Sequence, residues 1–356
     1  MGQWMYFLLF ILGLAMIIKG SDWFIDSVIW VATVFKIPYI IIGATIVSIC
    51  TTMPETFVSL TASIKGETDV AFGNALGSIA LNTGIIMGII LLFAKPAIEN
   101  KSAFKRNGMF LIALLILCFF ASLFFGEIGR TMGLVYVGLL IYYLFSNYRQ
   151  AKSLMRPNVE YDVEERLNPE DTQTIAEGAV YDKDEGDIDI SRNVIIKKSA
   201  YFIVGIAAVI VGSGLLVDNG IRIAEILGVP SIVIAITFTA LGTSLPELVT
   251  AITSIRKKVS NLGVGNIIGA NILNVVQVIG ISALVNPISI AHDPTIVSFQ
   301  IPMAILLVCL AVFFGIFSKR NFQRWQGLVL LAVYSIFLVF NLLRENTPFL
   351  GPIFFQ

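Results

Sequence analysis

Apolar residues in this chain come in long runs that neither alternate with polar ones nor stop at the length of a soluble core helix. Ten runs lie at about 4–19, 38–63, 70–94, 107–125, 131–148, 196–217, 230–255, 262–285, 296–317 and 325–343. Roughly 20 apolar residues cross a bilayer as a helix. In lipid every backbone polar group needs a partner within the protein, so non-alternating runs of this kind predict a helical bundle and not a barrel. The expected fold class is an all-α membrane protein of ten transmembrane helices. One stretch, 149–195, breaks the pattern. Residues Glu160 through Asp189 alone hold 12 of the 24 acidic side chains. Such a segment buries too little apolar surface to fold by itself and reads as a solvated acidic linker. It lacks the D-x-[DN]-x-[DN]-G-x5-E spacing of a calcium loop.

The runs on either side of the linker are copies. A shift of 192 residues aligns 13–88 with 205–280 without a gap, with 23 identities in 76 positions. Gly13, Gly20, Ser21, Asp26, Pro38, Thr51, Pro54, Glu55, Gly73, Asn74, Gly77 and Asn82 meet Gly205, Gly212, Ser213, Asp218, Pro230, Thr243, Pro246, Glu247, Gly265, Asn266, Gly269 and Asn274. The chain therefore divides into a first five-helix repeat, 1–148 (motif 43–88), the linker 149–195, and a second five-helix repeat, 196–356 (motif 235–280). An odd number of helices per repeat inserts the second copy upside down, a plan that recurs in secondary transporters. Lys and Arg support it. The side reached by the loops after the odd-numbered helices holds 20 of them, and the other side holds Lys65, Arg130, Arg222 and Arg344. The positive-inside rule places the first side in the cytoplasm of a cell-membrane protein, with the linker inside and both termini outside.

Composition adds exclusions. The chain is 56% hydrophobic and 13% charged with zero formal net charge, and its mean hydropathy is +0.85. Nothing in that balance suggests a nucleic-acid partner; the expected partner is the lipid bilayer. Cys50, Cys118 and Cys309 all lie within apolar runs and read as buried free thiols. The N-terminus lacks the basic region of a secretory signal, so the first run is expected to stay as a helix. The dipeptide Gly-Lys is absent, which excludes a Walker-type nucleotide site. No nucleophile–base pair or cofactor motif appears, so no enzyme and no cofactor are expected.

What stands out is acid where acid is costly. Glu55 and Glu247 sit near the middle of the second and seventh runs. A carboxylate at the centre of an inserted helix costs roughly 2.5–3.5 kcal/mol, and two at repeat-related positions call for a compensating cation. Pro54 and Pro246 precede them. Proline has no N–H and clashes with the carbonyl four residues back, so each helix is expected to kink or break there. That should free carbonyls near Ser48 and Cys50 and near Ala240 and Gly242, as in transporters whose broken helices coordinate ions. Thr51, Thr52, Thr243 and Ser244 add hydroxyls in the same turns. The third run offers Asn74, Ser78 and Asn82 at spacing four, and the eighth offers Asn266 and Asn274, with Ala270 in the serine's place. An all-oxygen set suits Ca²⁺ or Na⁺ and not Zn²⁺ or Cu²⁺. Helix-to-helix hydrogen bonding competes with ligation at Asn74 and Asn266. Thr45 and Thr237 are expected to bond the preceding turn, and Asp26 and Asp218 to act as caps near short connections.

The segments G-A-T-x5-T-T-M-P-E-T…G-N-A-L-G-S-x3-N and T-F-T-A-L-G-T-S-L-P-E-L…G-N-I-I-G-A-N-x2-N resemble the two α-repeats of the sodium/calcium exchangers, within the cation/calcium exchanger superfamily. G-S-D-W-F-I-D at 20–26 resembles prokaryotic members, and the short linker fits one without regulatory calcium-binding domains. The resemblance implies antiport of Na⁺ and Ca²⁺ by alternating access, in a chain functional as a monomer. It implies Glu55 and Glu247 as shared ligands, with Thr51, Thr52, Ser78, Thr243 and Ser244 supplying hydroxyls or carbonyls. Asn82 and Asn274 would line the centre, and the Ser48 and Ala240 carbonyls would help hold sodium. The first and sixth helices would slide to switch access. The chain departs from the pattern at Cys50 and Thr52, in place of the glycine and serine of G-T-S-L-P-E, at Ala270, and at Asn274, where many members carry aspartate. The G-N-x-x-E pattern of the proton-coupled branch is absent. A H⁺/Ca²⁺ or other divalent-cation exchanger, a cation channel and a non-transporting membrane scaffold remain the alternatives.

Overall fold

The computed structural model describes residues 3–98, 100–154, 191–226, 240–290 and 295–346. Most of the acidic linker and the first half of the seventh run lie outside those residues. The architecture is helical: α1 (Gln3–Val34), α2 (Tyr39–Thr51), α3 (Met53–Ile64), α4 (Thr68–Ala94), α5 (Lys101–Phe125), α6 (Arg130–Leu154), α7 (Arg192–Ile226), α8 (Ala240–Thr243), α9 (Leu245–Arg256), α10 (Ser260–Val285), α11 (Ile296–Phe317) and α12 (Arg324–Asn346). Eight of these are long and apolar enough to cross a membrane, and α2 with α3 makes a ninth, broken span bent by 44°. The expected tenth, 230–255, is described only from Ala240 onward. Beyond the helices, the described residues include a two-residue ribbon, β1 (Glu127–Ile128) against β2 (Ile288–Ser289), and an isolated bridge between Ala97 and Asn321.

The break falls where the prolines predict it. Thr52, with φ −83° and ψ 1°, separates α2 from α3, and Ser244, with φ −89° and ψ 7°, separates α8 from α9. Pro54 and Pro246 then occupy the first turns of α3 and α9, where a missing N–H costs nothing. Each glutamate follows its proline and lands in the first turn of the restarted helix. The N-terminal end of a helix favours negative charge.

α4 and α10 form the centre of the bundle, and α10 is buried along almost its whole length. Glycines set the distances. A Cβ built on Gly265 would sit 2.3 Å from the Ile40 carbonyl oxygen, and one on Gly43 would sit 2.3 Å from that of Leu262. α2 and α10 therefore touch backbone to backbone, the close approach that small residues permit in lipid. The repeat counterparts of Ile40 and Gly43 fall at 232 and 235, outside the described residues.

α1 and α7 pair along their length, and α1 also packs against α2 and α9. The α1–α7 crossing also runs on glycine. A Cβ on Gly13 would lie 2.8 Å from the Gly212 carbonyl oxygen, and one on Gly20 would lie 2.7 Å from that of Gly205. Both helices run past the sequence estimate. Asp26 is eight residues short of the end of α1, and Asp218 is likewise inside α7. Neither is a cap, because the helix continues past the polar side chain instead of stopping at it.

Candidate functional site

The break brings two polar turns from opposite repeats together at the centre of the bundle. Glu55, Glu247, Thr51, Thr52, Ser48, Asn82 and Asn274 are fully buried, and Ser78 and Ser244 nearly so. The Ser244 hydroxyl donates to Glu55 Oε1 at 3.3 Å. Its repeat counterpart Thr52 donates to Glu247 Oε1 at 3.4 Å. Each carboxylate is thus held by a hydroxyl of the other half. Ser78 Oγ lies 3.1 Å from Ser244 Oγ and continues the chain of oxygens onto α4.

A second reciprocal pair surrounds the first. Thr51 donates to Asn266 Oδ1 at 3.2 Å, and Thr243 donates to Asn74 Oδ1 at 3.1 Å. The amide groups of these asparagines are also spent, Asn74 on Ser59 Oγ at 2.9 Å and Asn266 on Thr250 Oγ1 at 3.1 Å. For Asn74 and Asn266 the structural role therefore prevails. Thr45 behaves as expected, bonding the Ile41 carbonyl at 2.8 Å. Thr237 lies outside the described residues. The Ser48 carbonyl is already engaged, by the Thr52 N–H at 2.9 Å and the Thr51 hydroxyl at 3.4 Å. Of Ala240 only the backbone, opening α8, is described.

The remaining oxygens are not satisfied. Among the described residues, Glu55 Oε2, Glu247 Oε2, Asn82 Oδ1 and both polar atoms of Asn274 are buried without a hydrogen-bond partner. Native structures leave few buried polar atoms unpaired, and here five of the nine among the described residues fall on four repeat-related residues; the others are Trp30 Nε1, Ser63 Oγ, the Tyr136 hydroxyl and Gln150 Oε1. No Lys, Arg or His pairs with either glutamate among the described residues. Two buried carboxylates without a counter-charge are a strongly unfavourable arrangement. A cation bound among these oxygens would supply both the charge and the missing partners.

The local backbone of the site, and one further contributor, are missed by reading the sequence alone. Asn82 and Asn274 each open a wide π-type turn, Asn82–Ile86 and Asn274–Ile279, a distortion that favours functional positions. A third, Gly43–Val47, includes the Ala44 carbonyl, which accepts from the Tyr143 hydroxyl of α6. Gln277 Nε2 donates to Thr56 Oγ1 at 2.9 Å, one residue past Glu55. Its repeat counterpart is Ile85. A lone glutamine in an apolar run was the available clue.

The sodium/calcium exchanger protein family model matches residues 5–149 and 197–343, one repeat each. The chain belongs to the sodium/calcium exchanger family. Family relatives align over nearly full length. A protein named sodium/calcium exchanger MaX1, from Methanosarcina acetivorans, is 30% identical over 94% of this chain and 97% of its own. Inner membrane protein YrbG of Escherichia coli is 30% identical over 96% of this chain and 98% of its own. Among solved structures, the sodium-calcium exchanger NCX_Mj soaked with Na⁺ and Sr²⁺ superposes with a TM-score of 0.75. It has 25% identity and covers 95% of this chain and 99% of that one. Like its relatives, this exchanger-family chain is an integral membrane protein.

Proposed function

We propose that the chain is a Na⁺/Ca²⁺ antiporter working by alternating access. In this reading Glu55 and Glu247 hold Ca²⁺ between them, and Na⁺ competes for the same oxygens. The observation that carries it is the pair of orphaned carboxylate oxygens, Glu55 Oε2 and Glu247 Oε2, each fully buried with its other oxygen turned to a hydroxyl of the opposite repeat. Two carboxylates neutralise one divalent ion. With Thr51, Thr52, Ser78, Thr243, Ser244, Asn82 and Asn274 they provide enough oxygens for the six to eight ligands Ca²⁺ typically takes. The Ser48 and Ala240 carbonyls are the further oxygens for Na⁺, and Ser48 would first give up its long Thr51 bond.

The reading includes ten spans in two inverted repeats, with both termini outside and the linker in the cytoplasm. The family membership and the name of the Methanosarcina relative support sodium as the counter-ion. The broken helices and the glycine-packed α1–α7 pair support a moving carrier over a fixed pore.

The deciding experiment is calcium uptake into proteoliposomes under imposed Na⁺, K⁺ or H⁺ gradients. Uptake driven by an outward Na⁺ gradient is the expected result. Uptake that follows pH and ignores sodium would make the protein a H⁺/Ca²⁺ exchanger. Single-channel currents would make it a channel.

A further inference from the structure

The two repeats agree in sequence at four positions where they disagree in structure. On one side α1 lies along α9. Ser21 Oγ and Thr253 Oγ1 are 2.6 Å apart. Lys257 Nζ donates to Asp26 Oδ1 at 2.7 Å. Asp22 adds contacts at 3.8 Å to Arg256 and 3.9 Å to Lys257.

Shifting Ser21, Asp26, Thr253 and Lys257 to their repeat counterparts gives Ser213, Asp218, Thr61 and Lys65, the same four residue types. These lie on α7, on α3 and, for Lys65, just past the end of α3, and they do not meet. Ser213 turns back onto the Val209 carbonyl of its own helix at 2.7 Å. Thr61, Lys65 and Asp218 are exposed, and among the described residues neither Lys65 nor Asp218 has an ion-pair partner. α1 and α9 form a sustained contact, whereas α7 and α3 do not.

We infer that these eight residues form a two-position latch. Asp26–Lys257 with Ser21–Thr253 closes one side of the bundle. Asp218–Lys65 with Ser213–Thr61 closes the other side in the opposite state. The glycine crossing at Gly13–Gly212 and Gly20–Gly205 binds α1 and α7 into one arm. Movement of that arm therefore opens one quartet as it closes the other. The latch rests on the alternating-access reading above. In the state seen here the Lys257 side is closed. The distribution of basic residues makes that the cytoplasmic side.

The latch is also unequal. Asp22 and Arg256 reinforce the closed quartet, while their counterparts are Gly214 and Ile64. Partly exposed ion pairs are individually weak, so the surplus biases the equilibrium without locking it. About fivefold toward the outward-open state is the expected scale.

Cysteine pairs in a background lacking Cys50, Cys118 and Cys309 test this in proteoliposomes with the full chain. The Ser21→Cys/Thr253→Cys pair should form a disulfide readily, since its side-chain oxygens already sit near bonding range. The Thr61→Cys/Ser213→Cys pair should form one slowly. Lys257→Gln should speed the second pair about fivefold and slow the first, and Lys65→Gln should do the reverse. Exchanging the charges, Asp26→Lys with Lys257→Asp, should recover the rates only in part, because Asp22 then faces a carboxylate at 257. Calcium transport retained with no second cross-link, or rates indifferent to Lys257→Gln, would overturn the latch. Both cross-links forming in a chain without Na⁺-driven calcium flux would uphold the two positions and sink the antiport reading instead.

Discussion

The Ser244 hydroxyl stands 3.3 Å from Glu55 Oε1, although the two residues belong to opposite halves of the chain. Thr52 and Glu247 repeat the relationship at 3.4 Å. Each half thus orients the other's carboxylate, and under the proposed function a cation between them would be held by both. Ser244→Ala and Thr52→Val should each weaken calcium binding by roughly tenfold, the lower range for removing a group that orients a metal ligand. Calcium titrations of the purified protein by calorimetry measure this. Affinities equal to wild type would remove these hydroxyls from the site.

Glu55→Gln and Glu247→Gln should abolish calcium flux while leaving the protein folded. Each substitution removes a buried, uncompensated charge, which is itself unfavourable. In chelator the variants should therefore melt at or above the wild-type temperature. The rise in melting temperature that calcium gives the wild type by binding the native state should disappear. Thermal unfolding with and without calcium reads both effects, and a variant that melts early in chelator contradicts the assignment.

The asparagines should separate into two classes. Asn266→Ala leaves the Thr51 and Thr250 hydroxyls without their amide partner. Both hydroxyls keep a carbonyl partner, on Ser48 and Glu247, so the loss should cost about 0.5–1.5 kcal/mol of stability per hydrogen bond. Asn274 has no partner to strand among the described residues. Asn274→Ala should leave melting nearly unchanged and lower ion affinity. Asn274→Asp should bind calcium more tightly and release it more slowly, lowering KM and kcat together. If Asn274→Ala costs as much stability as Asn266→Ala, the two share a structural role.

Gly265→Ala should be poorly tolerated. Its Cβ would meet the Ile40 carbonyl oxygen at 2.3 Å, a backbone atom that cannot rotate away. Forcing α2 from α10 should cost about 1–3 kcal/mol or more and disturb the site that α2 carries. Gly138→Ala is the control. Nothing lies within 4 Å of its Cβ, and alanine is the better helix former. Comparable losses of folded protein in the two variants would mean that helix spacing is not what Gly265 provides.

Several features could be read directly from the chain. Long apolar runs predict spans because lipid supplies no hydrogen bonds. Pro54 and Pro246 mark the helix breaks because proline lacks a donor. The 192-residue register makes Glu55 and Glu247 equivalent before any coordinates are known. The π-type turns at Asn82 and Asn274 were not legible, since asparagine within an apolar helix favours no particular hydrogen-bond ladder.

Tertiary structure decided which polar residues face one another. Asn74 and Asn82 are the same residue type on the same helix. Asn74 is consumed by Thr243 and Ser59, whereas Asn82 keeps an unpaired oxygen. Asp26, near a connection in the sequence, is a latch residue because Lys257 reaches it across the bundle. Local periodicity sets which way a side chain points along its own helix. Its partner is set by how the inverted halves pack, and two identical quartets can differ in their contacts because the packing has broken the symmetry that their sequence retains.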